Sequence, residues 1–206
     1  MRKLSALAGL VIWLSACGGD PLPNSAEVSY AKPAPKLDSL PEASVATLDT
    51  VLKARKVAGD TLPLPAAKLV AALPATLIGF AEPEVTDAQD LDVEGGRMST
   101  AKALFFDEHD NYLEVKLYDL SAAQSLARSI VEEYRSADGT ELNGSHYSRL
   151  PVMPKGRIGF IRKEADTYSA VVLADFRHQL VVETDAPCEA SCFMQVVEAV
   201  KWEVLK

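Results

Sequence analysis

Apolar positions first recur at helical spacing at Val45, Leu48, Val51 and Leu52, which predicts a helix from about Ser44 to Gly59. A shorter helix follows Pro63 and Pro65, with Leu69, Val70 and Leu73 as its apolar stripe and Pro74 as its stop. Residues 75–96 hold no sustained period. Leu77, Ile78 and Phe80 suggest a short strand there, and the acidic run 87–94 suggests a surface loop. The spacing then changes from helical to alternating. Residues 98–107 and 112–119 read as paired strands joined by the polar tip Glu108-His109-Asp110-Asn111. In the second strand Leu113, Val115 and Leu117 face one way and Tyr112, Glu114, Lys116 and Tyr118 the other.

Ser121 with Gln124 three residues later has the form of a capping box. It predicts a helix with Ala123, Leu126, Ala127, Ile130 and Tyr134 on its apolar face, ending at Asp138-Gly139. The chain then turns to strands. Residues 146–152 are a weak candidate, interrupted by Pro151 and Pro154, and 157–163 a better one. Residues 168–175 are apolar on both faces at their centre, which places them inside a sheet. A turn at Arg177-His178 leads into 179–184. Residues 190–204 form the last predicted helix, lined by Phe193, Val196, Val197, Val200 and Val204. Its β-branched residues lower helix propensity, so packing must hold it. The order of elements predicts a single α+β domain over 44–206: an antiparallel sheet of about five to six strands with helices packed against it.

The first residues follow another logic. Arg2 and Lys3 precede an apolar run, 4–14, of signal-peptide length and too short to span a bilayer. The stretch Leu14-Ser15-Ala16-Cys17 resembles a bacterial lipobox, which implies that 1–16 is a signal peptide and that Cys17 is lipidated, with palmitate-type acyl chains as the membrane anchor. Residues 17–43, with Pro21, Pro23, Pro33, Pro35 and Pro41, then read as an extended tether. By the sorting rules of such lipoproteins, Gly18 and Gly19 point to the outer membrane, facing the periplasm. Cleavage would take Lys+Arg from 21 to 19 against 29 Asp+Glu, moving the formal charge from -8 to -10. So acidic a chain, without clustered Lys and Arg, argues against a nucleic-acid partner.

Candidate chemistry is sparse. Cys188 and Cys192 are spaced by three residues, where a catalytic dithiol usually has two, and a metal site would need further ligands. An oxidising envelope favours a structural disulfide between them, with a redox pair and free thiols as the alternatives. His109 sits in a polar tip without calcium-loop spacing. His146 and His178 are isolated and read as surface or turn residues. Asp119 closes a strand before a helix, either as an acid in a cleft or as a residue that orders the helix start. No catalytic set, metal site or cofactor motif emerges. Trp202 lies off the apolar stripe of the last helix, and Tyr112 and Tyr118 lie opposite the core positions of their strand. These three aromatics are the candidates for partner binding, the alternatives being packing over the sheet edge or beneath a helix.

Leu73-Pro74, Leu77, Gly79 and Phe80, then Ser99, Ala101, Ala103 and Phe105, then Leu117-Tyr118-Asp119 before a helix together resemble a group of uncharacterised bacterial envelope proteins. More loosely, the architecture is similar to the small α/β sandwiches typified by an extrinsic subunit of photosystem II, which implies an assembly or binding module and no particular activity. The expectation is a non-catalytic, lipid-anchored envelope protein that binds or supports another envelope component. The alternative is a small-molecule-binding or enzymatic domain with its site between sheet and helices.

Overall fold

In the computed structural model, residues 45–93, 96–142, 144–151, 153–154 and 156–206 are described. They fall within Leu37–Lys206, one of two units of the chain. The expected signal peptide over 1–16, Cys17 and the expected tether over 17–43 lie outside the described residues.

Among the described residues eight strands form one antiparallel sheet, more than the five to six expected. They are β1 (Glu84–Val93), β2 (Gly96–Phe106), β3 (Tyr112–Asp119), β4 (Thr140–Leu142), β5 (Ser145–Arg149), β6 (Arg157–Glu164), β7 (Thr167–Ala174) and β8 (His178–Thr184). The order β1-β2-β3-β8-β7-β6-β5-β4 joins two meanders through the β3–β8 pairing. Four α-helices accompany them: α1 (Val45–Val57), α2 (Ala66–Ala72), α3 (Gln124–Ser136) and α4 (Ala190–Ala199), with a 3-10 turn at Trp202–Leu205. The α+β class with an antiparallel sheet agrees with the sequence. The extra strands are the short β4 and the acidic β1.

Strand β1 occupies the stretch expected to be irregular and loop-like. Its Asp and Gln residues have low strand propensity, and a register shift between Val85 and Asp87 breaks the alternation. Pairing with β2 along its length imposes the strand. The expected strand at 77–80 reduces to one bridge, Phe80 with Asp107.

Both sheet faces are packed. On the first, Ala101, Ala103 and Phe105 of β2, Leu113, Val115 and Leu117 of β3, and Leu180 and Val182 of β8 meet α2, α4 and the 3-10 turn. On the second, Phe160 and Leu173 meet Leu48 of α1 and Ala127, Ile130, Val131 and Tyr134 of α3. Leu126, assigned to the apolar face of α3, is instead 40% exposed. Gly159 has no side chain because a Cβ there would stand 2.8 Å from Leu150 Cδ1 and 3.1 Å from Val172 Cγ2.

The last helix is shorter than expected. It stops at Ala199, where Val200 adopts an extended conformation and the Lys201 N–H bonds Ala72 O at 2.9 Å. That break carries Trp202 inward, where its Nε1–H donates to Val197 O at 2.8 Å. A continued helix would leave the indole outside the core.

Candidate functional site

Asp119 is the end of β3, on the same face as Leu117, and its carboxylate has no solvent exposure. Chain geometry brings four charged or polar groups to it. The β7–β8 turn holds Asp175 and Phe176 at φ +51, with the Arg177 N–H closing on Ala174 O at 3.0 Å. Two successive left-handed residues are the signature of a tight hairpin turn, at a conformational cost of about 1 kcal/mol or more each for non-glycine residues. The turn directs Arg177 across the end of β3. From the other side, the C-terminal turn of α1 delivers Arg55, and the following loop delivers Asp60.

These side chains close a ring. Arg55 Nε donates to Asp60 Oδ2 at 3.0 Å, and Arg177 Nη1 donates to Asp60 Oδ1 at 2.8 Å. Arg177 Nη2 donates to Asp119 Oδ2 at 2.8 Å. Ser121 Oγ donates to Asp119 Oδ1 and accepts from Arg55 Nη2 at 3.0 Å. The Leu64 and Ser121 N–H groups also donate to Asp119, at 2.8 and 2.9 Å. Two arginines balance two aspartates, so the ring is formally neutral. Burial by itself would raise the Asp119 pKa. His178 nearby and the hydrogen bonds from Arg177, Leu64 and Ser121 outweigh it and hold the carboxyl well below its ordinary range. Burial would likewise lower the Arg177 pKa, but Asp119 and Asp60 raise it on balance.

His178 is the residue paired with Asp119 across the β3–β8 ladder. It is buried rather than at the surface or in a turn as expected, because it opens β8 instead of preceding it. Its Nε2 stands 3.7 Å from Asp119 Oδ2, beyond hydrogen-bond reach, and bonds nothing else among the described residues. Serine, aspartate and histidine thus meet, but in the wrong order for nucleophilic catalysis. The hydroxyl bonds the carboxylate rather than the imidazole, and a carboxylate held well below its ordinary range is a weak base for its proton. The carboxylate accepts from so many donors that its lone pairs are used. The ring's chemistry is to fasten α1 and the 60–64 loop to the sheet end.

Ser121 therefore does not cap α3. The helix starts at Gln124 with Ala123 at its N-cap and no side-chain cap bond, since the Ser121 hydroxyl is engaged by Asp119 and Arg55. A groove of about 460 Å³ lies beside that helix start, lined by Asp49, Lys53 and Lys56 of α1 and Gln124, Ser125 and Arg128 of α3. Arg128 is paired with Asp49 across it.

The other sequence candidates separate. Trp202 is buried, 8% exposed, with the Arg157 guanidinium 4.4 Å from its ring centroid, so the described structure offers it no partner at the surface. Tyr118 packs half-buried against the core beneath α1 and α3, and burial pushes its pKa up. Tyr112 is half-buried at the far end of the same strand face; burial, then Asp185 and Glu183, raise its pKa. The Cys188 and Cys192 sulfurs are 2.10 Å apart, at bonding distance, with Cα atoms 5.7 Å apart. His109 stays exposed at the hairpin tip, where Asp107 Oδ1 accepts from the His109 and Asn111 N–H groups.

Beyond Tyr118, α3 packs over β6 and β7, while β2, β3 and β8 carry a partly buried ladder of charge on the same face. Lys102 Nζ lies 3.1 Å from Glu114 Oε1, and Lys116 Nζ bridges Glu114 and, at 2.7 Å, Glu183 Oε2. Burial lowers the Lys116 pKa, but the two carboxylates raise it on balance. Glu114 is raised by burial and lowered further by its lysines. Phe106 stands beside the ladder, 37% exposed.

Neither Arg55, Asp60 nor Arg177 stood out in the sequence, where each is a single charge near a turn. Among the described residues no group of acidic, histidine or cysteine side chains could hold a metal ion, and no helix is long and apolar enough to cross a membrane. Comparison with protein-family models, curated proteins and solved structures finds no match.

Proposed function

We propose that this is a non-catalytic binding or support protein of a bacterial envelope, held to a membrane by lipid on Cys17. The observation that supports it is the charged half of the second sheet face. There Lys102, Glu114, Lys116 and Glu183 form a two-signed ladder beside the exposed ring of Phe106. A protein partner can match alternating charge and cover an aromatic edge, the combination found where polar rims surround aromatic anchors. The Asp119 ring, by contrast, is spent on internal contacts.

The test is a photo-crosslinking residue at Phe106 in intact cells. The expected result is one dominant adduct to an envelope component, absent when the same probe replaces Glu132 on the exposed side of α3. Identical weak adducts at both positions would reject the binding role. Metabolic labelling with a fatty-acid analogue, present in the wild type and lost in Cys17→Ser, tests the anchor. Equal labelling of the two would reject it.

A further inference from the structure

Strand β1 is an edge strand with a singular charge. It runs for 10 residues, against 3 for β4 at the opposite edge, and among the described residues pairs with β2 alone. Alternate residues of an edge strand direct backbone N–H and C=O groups away from the sheet, a ready template for another strand. Proteins commonly protect such edges with lysine. β1 instead carries Glu84, Asp87, Asp90 and Asp92 and no Lys or Arg.

The pairing register divides these acids between the two faces. Glu84 and Asp87 stand opposite Leu104 and Lys102, and Asp90 and Asp92 stand opposite Ser99 and Arg97. Asp92 is paired with Arg97 at 3.5 Å and Asp90 accepts from Ser99 Oγ at 2.7 Å, so the negative charge an incoming strand meets is carried chiefly by Glu84, Asp87 and Asp90. Leu91, half-buried between these acids, gives one apolar position. A second copy of this chain is a poor occupant, because antiparallel β1 against β1 would set Asp87 opposite Asp90 in both directions and gather eight acids along one seam. Like charges directly opposite each other in a ladder are destabilising. An extended segment with lysine or arginine at several positions matches instead, with backbone bonds supplying affinity and side chains supplying selection.

We infer that β1 accepts a basic extended segment of a different protein by strand addition. This rests on the binding role above and names the partner's chemistry: a flexible, Lys/Arg-bearing strand rather than a folded acidic surface. Electrostatic selection also makes the association sensitive to salt.

The probe is an eight-residue peptide alternating lysine and valine, compared with its glutamate–valine counterpart, added to the full chain. The lysine peptide is expected to bind at least tenfold tighter, to weaken as salt rises, and to slow hydrogen exchange along 84–93. The variant Glu84→Lys/Asp87→Lys, its fold checked by the unchanged near-ultraviolet spectrum, should reverse the preference. Should that variant unfold, Glu84→Lys alone, at an exposed strand end, should narrow the preference. Equal binding of both peptides, absent binding, or protection confined to the Phe106 face would overturn the inference. A bound lysine peptide without a cellular adduct at Phe106 would count against the Phe106 face as the docking site while leaving strand addition standing.

Discussion

Arg177 grips Asp119 through two nitrogens, Nε at 3.0 Å and Nη2 at 2.8 Å from the same Oδ2, although 58 residues separate them in the chain. Around that contact the ring of Arg55, Asp60 and Ser121 closes. A carboxylate at the end of a strand is therefore a sensitive point of the molecule alongside its apolar core.

Asp119→Asn preserves shape but leaves a largely buried guanidinium with Asp60 as its one remaining charge partner in the ring, and should cost about 3 kcal/mol. The acid response should change as well. A carboxyl whose folded pKa is depressed adds stability that is complete above its unfolded value of about 4 and is lost as pH falls below it. Between about pH 5 and pH 3 the wild type should therefore lose more stability than the Asn variant. Urea melts at the two pH values decide this, and parallel losses would show that Asp119 is not held in its charged form.

The two faces of β3 should answer differently to truncation. Leu117 is fully buried, so Leu117→Ala should cost about 2–5 kcal/mol. Glu114 is not the free surface group its alternation suggests; it bridges two lysines, and its replacement by Ala should cost about 1 kcal/mol or less. High salt should shrink the second effect and spare the first. A Glu114 effect as large as that of Leu117 in denaturant melts would mean that the ladder is part of the core.

Cys188 and Cys192 should be found joined. The closed loop is short, so losing the bond should cost about 2 kcal/mol. Cys188→Ser, Cys192→Ser and the double variant should be destabilised alike, because each removes the same bond. Mass spectrometry after alkylation without reductant checks the state directly. Complete alkylation of both thiols in native protein would exclude the bond.

Trp202 gives an optical readout. The sequence has 2 tryptophans, and the other is Trp13, so a chain beginning at residue 17 carries Trp202 alone. Its emission should be that of a buried indole and should shift to the red on unfolding. Trp202→Phe loses the N–H bond to Val197 O and should cost about 1 kcal/mol, whereas Trp202→Ala, which empties the site, should cost about 3–5 kcal/mol. Solvent-exposed emission from the native protein would contradict the inward placement.

What the sequence determined by itself is local. The alternation of Leu113, Val115 and Leu117 with Tyr112, Glu114, Lys116 and Tyr118 fixed the two faces of β3, because side chains on a strand point alternately to opposite sides. The apolar centre of 168–175 marked β7 as interior, and four stretches of helical spacing lie where α1 to α4 form. Tertiary structure decided whatever depends on partners distant in the chain. β1 exists because β2 supplies its hydrogen bonds, against its own acidic composition. Ser121 leaves the capping box because Asp119 and Arg55, both charged, compete for its hydroxyl more strongly than a helix N–H. Trp202 turns inward because the chain breaks at Val200 to bury an indole whose N–H finds a carbonyl. The ring at Asp119 draws on α1, a loop, the end of β3 and the β7–β8 turn. No spacing along the chain encodes that meeting; the antiparallel pairing of β3 with β8 does, by setting the Arg177 turn beside the end of β3.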